Sequence, residues 1–173
     1  RRQAEAAGTL RLAADGAEPP AQQTIELGNG VALELALIPA GSFVMGSSEG
    51  YPDETPETAV VVGEPFWMAR TEITNAQFES YDPTHDSGVE SRFSMQFGVR
   101  GFYVNAPGQP VVRVSWNEAM AFCEWLSAKT GRRFTLPTEA QWEYACRAGS
   151  AEAFSFGPLD ADYSLDANFA DQK

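Results

Sequence analysis

Histidine is nearly absent: the 173 residues contain one, His85. A zinc or non-haem iron site built from histidines within the chain is therefore excluded, because such sites draw on several imidazoles. Cysteine is almost as scarce. Cys123 and Cys146 are the two present, too few to act as a disulfide framework. Basic residues are outnumbered, with 12 Lys and Arg against 24 Asp and Glu and a formal net charge of −12 at pH 7. That field repels a phosphate backbone or an anionic membrane surface, which makes nucleic acid the least favoured class of partner. No run approaches the roughly 18 apolar residues of a membrane span. The chain opens on Arg1-Arg2, and no apolar stretch of the kind a leader needs follows them. The expectation is a soluble protein whose compartment stays open, an extracytoplasmic one after processing included.

What is present is enough for one core. Hydrophobic residues make up 43% and aromatic ones 12% of the chain, more than a disordered polymer carries. Residues 1–24 are rich in Ala, with Pro19-Pro20, and read as a flexible tail or linker; residues 25–173 read as the domain. Val31, Leu33, Leu35 and Leu37 alternate with Ala32, Glu34 and Ala36, the period of a half-buried strand. Pro39-Ala40-Gly41 turns the chain into Phe43-Val44-Met45, and the pattern predicts that these two runs pair antiparallel. Residues 47–58 are an acidic loop. Glu49, Asp53, Glu54 and Glu57 match no EF-hand spacing, so a solvated loop is the reading. Val60–Val62 and Phe66–Ala69 predict two more short strands. Residues 82–109, with scattered Gly, Pro and aromatics, predict a long irregular loop in which His85 is an exposed bystander.

Helix starts are the clearest local signals. Thr74 is placed to cap a short helix through Asn75, Ala76, Gln77, Phe78 and Tyr81. Ser115 and Glu118 form a capping box, in which the hydroxyl accepts from the third helical amide and the carboxylate returns to the cap amide. The helix behind it runs to about Thr130 and stops at Gly131. Trp116, Ala119, Cys123 and Leu126 share one stripe, widened by Phe122 and Trp125. Thr138 and Gln141 form a second box that opens a helix through Cys146 and ends before Gly149. Trp67, Trp116, Trp125 and Trp142 are expected mainly in the core, with a peptide or sugar platform as the alternative. Short strands with two main capped helices give an α+β domain with much irregular structure.

The run Leu136-Pro137-Thr138-Glu139-Ala140-Gln141-Trp142-Glu143-Tyr144-Ala145, preceded by Val114-Ser115-Trp116, resembles the formylglycine-generating enzyme (sulfatase-modifying factor) family. Ile38-Pro39-Ala40-Gly41, then Thr71-Glu72-Ile73-Thr74-Asn75, then Pro110-Val111 agree in order, so the resemblance covers roughly four-fifths of the chain. It implies a fold similar to a C-type lectin. It also implies an oxidase that converts a cysteine in a sulfatase peptide to formylglycine with molecular oxygen, using copper(I) held by two close cysteines. Soft thiolates select that ion. In the family those cysteines lie in the C-terminal third, so they are expected beyond Lys173, and no catalytic residue is assigned within the chain. Cys123 and Cys146 correspond to structural cysteines that pair with partners in that C-terminal part; a buried thiol at each is the other reading. Asn168 and the carbonyl of Phe169 correspond to the start of a structural calcium site, against which stands a loop asparagine bonding its own backbone. The expected partners are the protein's own C-terminal segment or a second chain, and a cysteine-containing sulfatase peptide. Residues 1–173 alone are expected not to form a stable monomer. The alternative function is a non-catalytic binding or structural module on the same scaffold. A sulfoxide synthase with non-haem iron is disfavoured, since His85 stands alone.

Overall fold

Asn29 and Gly30 both have positive φ (51° and 76°), the backbone that a tight hairpin turn requires and that this residue pair supplies readily. They join β1 (Gln22–Gly28) to β2 (Val31–Ile38) as antiparallel partners, Ile25 opposite Leu33 and Gln22 opposite Ala36. The computed structural model describes residues 21–48, 50–88 and 103–152, with Ser155 and Gly157. The first 20 residues of the expected tail lie outside these. Strand β1 begins at Gln22, three residues before the expected start of structure, because ladder hydrogen bonds use the backbone and need no apolar side chain.

Three further strands follow: β3 (Gly41–Met45), β4 (Thr58–Val62) and β5 (Phe66–Ala69). The expected pairing of the first two apolar runs is corrected. Strand β3 pairs with β4, from Gly41 opposite Val62 to Met45 opposite Thr58, while β2 lies between β1 and β5 in a separate sheet. Pro39-Ala40 thus carries the chain out of one sheet into the other. Three helices complete the described fold: α1 (Asn75–Glu79), α2 (Trp116–Thr130) and α3 (Glu139–Arg147). Each opens on the reciprocal box, Thr74 with Gln77, Ser115 with Glu118 and Thr138 with Gln141. Helix α2 ends at Gly131 with φ 69°, as expected. Among the described residues no helix is long and apolar enough to cross a membrane.

The described chain divides into two compact units. The first takes in the residues up to Leu37 and Trp67–Leu136, hence β1, β2, α1, α2 and most of β5. Its core is Ile25, Leu27, Leu33, Leu35, Phe78, Phe122 and Leu126, with Trp67, Tyr81 and Trp125 packed against it. Phe78 stacks on Phe122 with ring centroids 5.5 Å apart. Truncating Phe122 to Ala would cost about 3–5 kcal/mol, the usual range for removing a buried aromatic. The second unit takes in Ile38–Phe66 and the residues from Pro137 onward, hence β3, β4 and α3. Tyr144 of α3 lies against Phe43 of β3 at 5.4 Å between centroids. Gly41 is needed beneath it, since a Cβ there would strike the Tyr144 hydroxyl.

Candidate functional site

Two shielded polar knots pin the described loops, and neither is visible as a site in the sequence. The first, in the core-bearing unit, centres on Asn75 (1% exposed) and Ser87 (fully buried). Asn75 Nδ2 donates to the carbonyls of Val104 at 3.0 Å and Ala106 at 2.9 Å. Its Oδ1 accepts from Ser87 Oγ at 2.6 Å, and Ser87 Oγ accepts from the Val112 amide at 3.1 Å. One side chain at the start of α1 therefore pins the segments on either side of residues 89–102. His85 belongs to this knot. Its ring lies edge-on to Phe78 at 4.9 Å, and its Nε2 sits 3.0 Å from the Val112 carbonyl, an acceptor, so that nitrogen carries a proton. The expectation of an exposed bystander is corrected: packing on Phe78 leaves His85 half-buried.

The second knot lies in the other unit. Gly46 N donates to Glu143 Oε1 at 2.9 Å, and Arg147 Nε donates to the same oxygen at 2.8 Å. Arg147 Nη2 closes the ring by donating to the Gly46 carbonyl at 2.8 Å. The Glu143–Arg147 pair spans one turn of α3, and both side chains are mostly shielded from water. Glycine is required at position 46 because φ is 91° and a Cβ would strike the Glu54 carbonyl. The Glu143 and Tyr144 of the motif that carries the family resemblance thus hold the end of β3 to α3.

The expected site residues fall as follows. Cys123 is buried on α2, and burial, helped by the charge of Glu124, pushes its thiol pKa up, which favours the protonated form. Cys146 is exposed on α3, which corrects the expectation of a core-facing position: on that helix Tyr144 faces β3 and Cys146 lies away from it. Both thiols are free. Asn168 and Phe169, the expected calcium ligands, lie outside the described residues. Trp116 is 67% exposed and Trp142 56% exposed, so the expectation of a core role fails for these two and holds for Trp67 and Trp125. Both exposed indoles sit in the first turn of their helices, and for Trp116 the stripe drawn from periodicity runs past the end of the core. In the acidic loop, hydrogen bonds from Ser48 hold the Glu57 carboxyl below the usual range, and the Tyr51 amide donates to Glu54. No group of three or more His, Cys, Asp or Glu side chains among the described residues is placed to hold a metal ion.

Copper(I) calls for a pair of close thiolates; the described residues offer one buried thiol whose protonated form is favoured and one exposed thiol on another helix, and these do not fit it.

The profile of the family described as "Sulfatase-modifying factor enzyme 1-like domain" matches residues 23–173. A formylglycine-generating enzyme of Mycobacterium tuberculosis is 30% identical over 170 aligned positions, covering 72% of this chain and 54% of that protein. The inactive C-alpha-formylglycine-generating enzyme 2 of Bos taurus is 29% identical, covering 72% and 52%. Among solved structures, PvdO from Pseudomonas aeruginosa superposes with a TM-score of 0.63 at 28% identity, over 89% of this chain and 59% of that one. The chain spans about half the length of the curated relatives it matches. The short antiparallel strands and capped helices are those of the same fold, and the chain belongs to the sulfatase-modifying factor enzyme 1-like family.

Proposed function

We propose that these residues are the N-terminal scaffold of a formylglycine-generating oxidase that acts on a cysteine in a sulfatase-type peptide with molecular oxygen. The copper-binding cysteines then lie outside residues 1–173. The observation that carries this division of labour is the state of Cys123, buried in the core-bearing unit with a raised thiol pKa and therefore unsuited to soft-metal ligation. The role of the described residues is positional: the Asn75–Ser87 knot pins the segments on either side of residues 89–102, and the Gly46–Glu143–Arg147 ring pins the end of β3 to α3. The test uses the full-length protein with a cysteine-bearing sulfatase-type peptide, oxygen and copper(I). The expected result is loss of the peptide thiol and gain of an aldehyde that a hydrazide captures, with turnover retained in Cys123→Ala. No aldehyde under these conditions, or turnover lost in a folded Cys123→Ala protein, overturns the reading.

One observation favours a second reading, a binding module without chemistry. Trp116 and Trp142 each present an indole to solvent, as ligand-binding surfaces do. On this reading the full-length protein makes no aldehyde but still binds the peptide, and Trp116→Ala or Trp142→Ala weakens that binding.

A further inference from the structure

Of the five asparagines in the chain, Asn29 alone is followed by glycine. That order carries chemistry as well as turn geometry. The backbone nitrogen of the next residue can attack the asparagine side-chain carbonyl, and a glycine there has no Cβ to obstruct the ring that forms. The surroundings leave the pair open to this reaction. Gly28, Asn29 and Gly30 are all exposed, and nothing lies within 4 Å of a Cβ built on Gly28 or Gly30. The other described asparagines are held. Asn75 is buried with its amide group fully engaged, Asn105 accepts the Ser87 amide at 3.0 Å, and Asn117 lies in the first turn of α2. One restraint acts on Asn29 itself. With φ at 51° it occupies the left-handed basin. Closing the five-membered ring eclipses the Gly30 nitrogen with the Asn29 Cβ about the Cα–C bond, a setting outside that basin. The turn has to open before the ring can close.

We infer that Asn29 is a site of spontaneous covalent modification, gated by opening of the β1–β2 turn, and that its isoaspartyl product unpairs β1 from the core. The Gly30 nitrogen bonds to Asn29 Cγ and releases its proton to solvent, while the Cγ–Nδ2 bond breaks and Nδ2 leaves as ammonia. Water then opens the succinimide. Attack at one carbonyl gives aspartate and attack at the other gives isoaspartate, with nothing oxidised or reduced. Aspartate followed by glycine fits the same turn. Isoaspartate does not, because the chain then runs through its Cβ and Cγ and gains a backbone atom. Asn29 and Gly30 alone join the paired Gly28 and Val31, so the turn has no slack for that atom. Strand β1 already carries a register shift between Glu26 and Gly28. A further slip by a whole residue would turn Ile25 and Leu27, both buried, toward solvent. Since β1 is an edge strand laddered to β2 alone, loss of register releases it. The inference is independent of the oxidase reading.

The experiment incubates the full-length protein at mildly alkaline pH, in buffer and in denaturing urea. Each asparagine is followed by peptide-level mass spectrometry, with an isoaspartyl carboxyl methyltransferase as the probe for the rearranged product. The expected result is that Asn29 converts first, chiefly to isoaspartate. Its rate in urea should exceed that in buffer by about tenfold or more, the factor set by how rarely the native turn opens. The aspartyl and isoaspartyl forms are then separated from the same native sample and compared by hydrogen exchange. Exchange across β1 should rise in the isoaspartyl form and stay at the native level in the aspartyl form, which carries the same added charge. Both forms arise from the unaltered protein, so no variant has to fold. Conversion of another asparagine ahead of Asn29 in the buffered sample, or none at Asn29, overturns the site. Equal rates in buffer and in urea overturn the gate. An isoaspartyl form that keeps native exchange across β1 overturns the unpairing.

Discussion

Replacing Asn75 with Ala isolates the energetic weight of the buried knot. The amide group makes three side-chain hydrogen bonds, two donated to the Val104 and Ala106 carbonyls and one accepted from Ser87. Removing it strands the Val104 carbonyl, at about 1–2 kcal/mol for a buried group left without its partner, while the Ala106 carbonyl keeps the Gln109 amide at 3.0 Å. Ser87 is partly relieved, because its hydroxyl can turn to the Val112 carbonyl 3.3 Å away. The expected loss is about 2 kcal/mol. With a urea slope of about 2 kcal/mol per molar, the midpoint falls by about 1 M. Asn75→Asp has almost the same shape but puts carboxylate oxygen where two carbonyls expect a donor, and should cost about 2 kcal/mol more at pH 7. The Asp carboxyl is pushed upward by that setting, so the excess cost shrinks as the pH falls and the acid form supplies one donor. The assay is urea denaturation of the full-length protein followed by tryptophan fluorescence, since Trp67 and Trp125 pack on the core of this unit. A loss below about 0.5 kcal/mol for N75A, or N75D no worse than N75A at pH 7, would refute the reasoning.

Glu143→Gln removes the charge that Arg147 meets at 2.7 Å while leaving an oxygen for the Gly46 amide. About 1–2 kcal/mol should be lost, read as faster hydrogen exchange at Gly46. Gly131→Ala places a Cβ where nothing lies within 4 Å, so its expected cost of about 1 kcal/mol comes from the left-handed backbone alone; an unchanged thermal midpoint would contradict this. Asp82 and Glu118 titrate below the usual carboxylate range, chiefly through hydrogen bonds from Thr84 and Ser115. A depressed folded-state pKa gives stability that is present above the unfolded value and lost as pH falls through the folded one. Stability should therefore decline below about pH 4, and an NMR titration should show the Glu118 value rising in Ser115→Ala.

Local chemistry explains what the sequence discloses about this fold. A Ser or Thr followed three residues later by Glu or Gln specifies a helix start within four residues, and all three helices begin where that signal stands. Gly131 ends α2 for an equally local reason. Asn29-Gly30 is a hairpin signal of the same local kind. Strand pairing resists such reading, because β3 selects β4 across a loop and turns away from its neighbour in sequence, β2. Periodicity gives a stripe and not its length, so the exposure of Trp116 and Cys146 is not legible in it. For the site, the family motif is legible while the work of its members is not: Asn75 looks like an ordinary first-turn residue until the carbonyls from 29 and 31 positions downstream arrive at its amide.

The Gly46–Glu143 contact also sets a clock on biosynthesis. Its two ends are 97 positions apart in the chain. At a synthesis rate of about 5–20 residues per second, the β3–β4 ribbon waits some 5–20 s for the helix that anchors it. In that interval its uncharged valines have no partner from their own unit, and they emerge before Phe122 and Leu126, which the first unit needs to close its core. The nascent ribbon thus depends on protection at the ribosome over that interval, and the yield of folded protein should fall when such protection is withdrawn.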